Sequence, residues 1–89
     1  MISSEDKYKI LEIAQKYSIS KLYLFGSNLK DKRDSNDIDI AVDGITDSLF
    51  FKFYGELIFS LSKPVDLIDL KKKTLLNEMI KSEGILLYG

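Results

Sequence analysis

A small sheet with helices laid on it, in the order α-β-β-α-β-α, is the fold class that this sequence predicts. Three observations predict it. The chain has 89 residues, 45% hydrophobic and 30% charged, which bounds it to one domain, residues 1–89, and excludes a disordered or membrane-spanning chain. Short apolar runs alternate with segments whose apolar residues recur at helical spacing. The link between the second and third of those runs itself holds a helix, the geometry of a sheet that carries helices.

The elements follow in order. Ser3, with Asp6 three residues on, is a capping box for a first helix. Ile10, Ile13, Ala14 and Tyr17 give that helix one apolar face, and it fades at Tyr17-Ser18. Lys21 to Phe25 reads as a strand that Gly26 ends, and Asn28 to Ser35 as a polar loop. Asn36 to Val42 is the second strand, closed by the turn signal Asp43-Gly44. Thr46 or Asp47 caps the next helix, whose buried stripe is Phe50, Phe53, Tyr54, Leu57, Ile58 and Leu61. On a helical wheel Phe51 borders that stripe and Phe59 falls nearly opposite, so Phe59 is a candidate contact with a partner or with a second copy in a homo-oligomer. Pro64 forces a new element, and Val65 to Leu70 is the third strand. Asp69 is read as the N-cap of a last helix and Lys71-Lys72-Lys73 as its solvated start. Leu75, Leu76, Met79 and Ile80 form the apolar face of that helix, with Gly84 at its C′ position. The tail Ile85 to Tyr88 is apolar enough to pack back, as strand or helix.

Composition excludes several chemistries. The chain has no cysteine and no histidine, so disulfides, Cys/His zinc sites, thiol nucleophiles and imidazole acid–base catalysis are ruled out. Any metal must be held by oxygen ligands, which favours Mg²⁺, Mn²⁺ or Ca²⁺. A net charge of −1 argues against a general nucleic-acid coat, and no DNA partner is expected. No apolar run approaches the ~20 residues of a spanning helix, and the N-terminus lacks a signal-peptide plan; a cytoplasmic location is the expectation.

Two aspartates, Asp37 and Asp39, stand inside an otherwise apolar strand. Alternation sends both to one face, where like charges resist burial unless a cation lies between them. Asp66 lies likewise in an apolar strand, between Val65 and Leu67. Paired strands would let all three carboxylates converge, a donor set suited to Mg²⁺ bound together with phosphates. Gly26-Ser27, the turn after the first strand, can offer backbone N–H groups and a hydroxyl to an anion. A Ca²⁺ loop starting at Asp34 fails because Asp39 stands where glycine is required, and no Gly-Lys-Ser/Thr makes the turn a P-loop.

Gly26-Ser27, a charged loop, Asp37-Ile-Asp-Ile40, Pro64-Val-Asp-Leu-Ile-Asp-Leu70 and the ending Ile80 to Tyr88 together resemble the minimal nucleotidyltransferases of the DNA polymerase β superfamily, over nearly the whole chain. The resemblance implies a small α+β nucleotidyltransferase-fold domain with a mixed sheet. It implies that Asp37, Asp39 and Asp66 hold Mg²⁺, in a two-metal site that Mn²⁺ could also fill, and that Asp66 faces an acceptor hydroxyl. Gly26 and Ser27 match the triphosphate-binding turn, with Lys30 as a further point charge. The implied reaction is attack of a hydroxyl on the α-phosphate of an NTP, ATP first among them, releasing pyrophosphate. The implied partner is a HEPN-type toxin, for which such domains act as antitoxin, some by transferring AMP to it. Many relatives carry Arg-Ala-Arg-Gly after the Gly-Ser, where this chain has Asn28-Leu29-Lys30-Asp31, and often Ser before the first aspartate, where it has Asn36. Lys30 offers a charge but no bidentate fork. An alternative reading is therefore a nucleotide-binding module that neutralises its partner by occlusion, without chemistry.

Overall fold

The computed structural model describes residues 2–26 and 37–89. Its elements are α1 (Ser4–Lys16), β1 (Lys21–Leu24), β2 (Ile38–Asp43), α2 (Asp47–Ser60), β3 (Val65–Asp69), α3 (Leu75–Glu83) and β4 (Ile85–Tyr88). The tail that could have been strand or helix is a strand. It pairs antiparallel with β1, setting Tyr23 opposite Leu86 and Leu24 opposite Ile85. The sheet order is β3-β2-β1-β4. β1 and β2 are antiparallel, whereas β2 and β3 are parallel, joined by α2 as the crossover. The result is a mixed sheet of α+β type.

Alternation divides the sheet into two faces. Leu22, Leu24, Ile38, Ile40, Val42 and Val65 meet Ile10, Ile13 and Ala14 of α1 and Phe53 and Leu57 of α2 in the main core. Tyr23 and Ala41 face the other way, where Leu70, just after β3, and Ile80 of α3 cover them and Phe25 and Ile68 pack alongside.

The first helix is capped by Ser3, whose hydroxyl accepts from the Asp6 amide at 3.1 Å. The reciprocal half of the box does not form. The buried Asp6 carboxylate instead accepts from the Ser62 amide (3.1 Å) and hydroxyl, pinning α1 to the segment that enters β3. At its other end Ser18 takes φ 53°. Its amide donates to the Gln15 carbonyl and that of Ile19 to Ala14, a Schellman arrangement built on serine instead of glycine.

Four expectations are corrected. Asp69 caps a turn and not the helix: its carboxylate accepts from the Lys71 amide at 2.9 Å, and Thr74 is the N-cap of α3. Lys71-Lys72-Lys73 accordingly precede that cap, and Lys71 bridges back to Asp47. Gly84 follows α3 at φ −71°, not in the left-handed region. A Cβ there would lie 2.5 Å from the Ile80 carbonyl oxygen and 3.1 Å from that of Leu24, so glycine serves close approach. Finally, Ile58 of α2 is exposed, and of the apolar residues on α3 only Ile80 is buried, leaving Leu75, Leu76 and Met79 in solvent. Phe51 and Phe59 are exposed as their wheel positions require. Among the described residues no helix is long and apolar enough to cross a membrane.

Candidate active site

The parallel ladder of β2 and β3 places Asp39 directly beside Asp66. Neighbouring strands lie ~5 Å apart, so the two carboxylates leave the same face of the sheet as close neighbours. This register follows from local packing. The Ile38 amide donates to the Pro64 carbonyl at 2.8 Å, fixing where β3 starts against β2. The Tyr54 hydroxyl of α2 donates to the Val65 carbonyl at 2.9 Å and holds the crossover helix over the same point. Both carboxylates lie on the face opposite α1 and α2, beyond the part that α3 covers.

Gly26 completes this corner. It adopts φ +69°, and a Cβ built on it would lie 2.5 Å from Oδ2 of Asp39. Gly26 therefore lies against the Asp39 carboxylate, and only glycine leaves that space open. Two strand ends are brought together by one hydrogen bond, from the Phe25 amide to the Asp39 carbonyl at 3.1 Å. Sequence reasoning does not single out Phe25; its only signal is its place before Gly26.

Asp37 stands one residue before β2, exposed at the mouth of the strand. Asp39 is half-buried and Asp66 exposed. Ser27 and Lys30, with Asn28, Asp31 and Asn36, lie outside the described residues. Among the described residues no three acidic side chains are already drawn together as a ready-made metal site. The described residues hold one pair set by register, a third carboxylate one residue before β2, and Gly26 beside Asp39. Two adjacent carboxylates repel and favour a cation between them. Their donors are all oxygen, the class that suits Mg²⁺ or Mn²⁺, and the gap kept by Gly26 leaves room beside them. The residues present fit such an ion.

The sequence matches the family model for polymerase beta nucleotidyltransferases over residues 8–89. No curated protein matches it. Several solved structures do. A toxin–antitoxin crystal structure with AMP-PNP is 29% identical, with 93% of this chain and 73% of that chain covered and a TM-score of 0.77. A mutant MntA–HepT toxin–antitoxin, with two aspartates two residues apart changed to glutamate, is 28% identical over 93% of this chain and 72% of that one, TM-score 0.75. A tri-AMPylated HEPN toxin from Shewanella oneidensis in complex with MNT antitoxin is 27% identical over 94% and 70%, TM-score 0.71.

Proposed function

The chain belongs to the polymerase beta nucleotidyltransferase family, and from that premise we propose that it transfers a nucleoside monophosphate, AMP from ATP, to a hydroxyl of a HEPN-type toxin and so acts as its antitoxin. The observation that carries this reading is the pairing of Asp39 with Asp66 across β2 and β3, with Gly26 pressed against Asp39. The solved relatives support the partner and the nucleotide: one is a toxin–antitoxin with AMP-PNP, another contains an AMPylated HEPN toxin.

Asp37, Asp39 and Asp66 are the residues that would hold Mg²⁺, one ion or two. When bound, Mg²⁺ supplies charge neutralisation for the triphosphate and a lowered pKa for the acceptor hydroxyl. The chain's own residues do the rest. Gly26 leaves room for a phosphate to approach, and Ser27 and Lys30, which follow it in the sequence, are the anion donors of this reading. Asp66, the exposed member of the pair, lies on the side open to an acceptor and takes the hydroxyl proton. The acceptor oxygen forms a bond to the α-phosphorus, the bond from that phosphorus to the bridging oxygen breaks, and pyrophosphate leaves with the electron pair. Holding nucleotide and hydroxyl in line is the larger part of the acceleration.

One feature favours a second reading, occlusion without chemistry: Asn28 and Lys30 stand where many relatives carry arginines. Incubation of the chain and a purified HEPN-type partner with each of the four NTPs, labelled at the α-phosphorus, separates the two. Label on the partner with Mg²⁺ present, and with ATP above the others, supports transfer. A stable complex that takes no label from any NTP would replace transfer with occlusion.

A further inference from the structure

Helix α3 is nine residues long and lies on the sheet face that carries Asp39 and Asp66. Asn77 and Ile80 are its buried residues. The Asn77 side-chain amide donates to the Asp69 and Lys72 carbonyls, fixing the helix to the end of β3. The outward side is apolar. Leu75 is 87% exposed, Leu76 49% and Met79 50%. Spacings of three and four residues put Met79 one turn beyond both leucines, so they form one ridge. A ridge of three large apolar side chains on so small a helix is a contact surface in search of its other half.

The surroundings of the ridge state what that half must carry. Lys72 and Lys73 lie immediately before the helix, exposed, and make no ion pair among the described residues. The α3 N-terminus adds its partial positive charge at the same end. The nearest helix carboxylate, Glu78, is matched by Lys81 at 4.0 Å. The ridge is thus apolar along its length and positive at its start.

We propose that the outward face of α3 seats an amphipathic helix of the acceptor protein, apolar along one stripe and acidic beside it, with the acidic end over Lys72 and Lys73. This rests on the transfer reading above for what the docked protein brings: its hydroxyl reaches Asp66 from the side of the sheet on which α3 lies.

The chain has two methionines, Met1 and Met79, so a ¹³C-methyl label on methionine gives a direct view of the ridge. The probe is a synthetic helical peptide with leucines at i, i+3, i+4 and i+7 and glutamates flanking them, titrated without nucleotide or metal. A control peptide has lysines in place of the glutamates. The expected result is a saturable shift of the Met79 methyl, with the acidic peptide bound roughly tenfold more tightly than the basic one. Leu75→Ser should abolish the shift, and Lys72→Glu with Lys73→Glu should invert the preference; these sites are exposed, and an unchanged circular dichroism spectrum checks the fold. An unmoved Met79 methyl, or equal binding of both peptides, overturns the proposal. So does a Met79 shift that follows protein concentration alone, which would assign the ridge to a second copy. With no nucleotide present, failure of this surface is distinct from failure of the transfer reading.

Discussion

At the scale of residues, two carboxylates and one glycine form the candidate site. Asp39→Asn keeps shape and removes charge, so transfer should fall by roughly 100-fold or more while the fold persists. Label transfer alongside circular dichroism checks this, and Asp37→Asn should behave alike. Gly26→Ala adds a methyl group 2.5 Å from Oδ2 of Asp39. It should weaken Mg²⁺-dependent nucleotide binding, read by calorimetry, and cost ~1 kcal/mol of stability for the left-handed backbone. All three carboxylates stand out in the sequence because each reads there as a charge inside an apolar strand, although Asp37 stands one residue before β2. Their convergence was expected on condition that the strands pair, and the exact register was not legible. The register of a parallel ladder depends on how α2 returns the chain, through contacts such as Tyr54 to Val65 that are distant in sequence.

At the scale of elements, capping chemistry decides what sequence patterns can foretell. The Ser3 cap was readable because it is local. The fate of Asp6 was not, since its partner Ser62 is remote in the chain. The apolar residues of α3 resembled a buried stripe, yet the sheet face beneath is narrow and already filled by Tyr23, Ala41 and Leu70 with Ile80. Ser18→Gly at φ 53° should raise stability by up to ~1 kcal/mol, measured by urea denaturation, because glycine takes that conformation without a Cβ clash. α1 and α2 are tied by Lys16, whose ammonium meets both oxygens of Glu56 at 3.0 Å, and by the Tyr17 hydroxyl at 2.9 Å. The hydrogen bond from Lys16 holds the Glu56 carboxyl below its usual range, and the same contact holds Lys16 above its own. The Glu56 contribution is present above the ordinary carboxylate pKa and is lost as pH falls through the lowered folded value. Denaturation midpoints should therefore drop on acidification with a slope that Glu56→Gln reduces; the pair is solvated, so the change is small.

At the scale of the whole molecule, one face of the sheet carries the main core and the other carries the candidate site. Phe53 is wholly buried and meets the Tyr17 ring edge-on at 5.3 Å, joining α1 to α2 over the sheet. Phe53→Ala should cost about 3–5 kcal/mol in denaturant unfolding and lower transfer only as far as it lowers the folded fraction. Keeping the main core on one face leaves Asp39 and Asp66 side by side on the other, where a cation between like charges would be favoured. The measurement that tests this most directly is the intact mass of a purified HEPN-type partner after incubation with the chain, ATP and Mg²⁺, beside the same reaction with Asp39→Asn. The expected result is a mass gain of whole AMP units with the parent chain and none with the variant. Equal mass gain with both chains, or a bound partner of unchanged mass in both, would contradict the assignment of Asp39 and Asp66 as the centre of a nucleotidyl transfer.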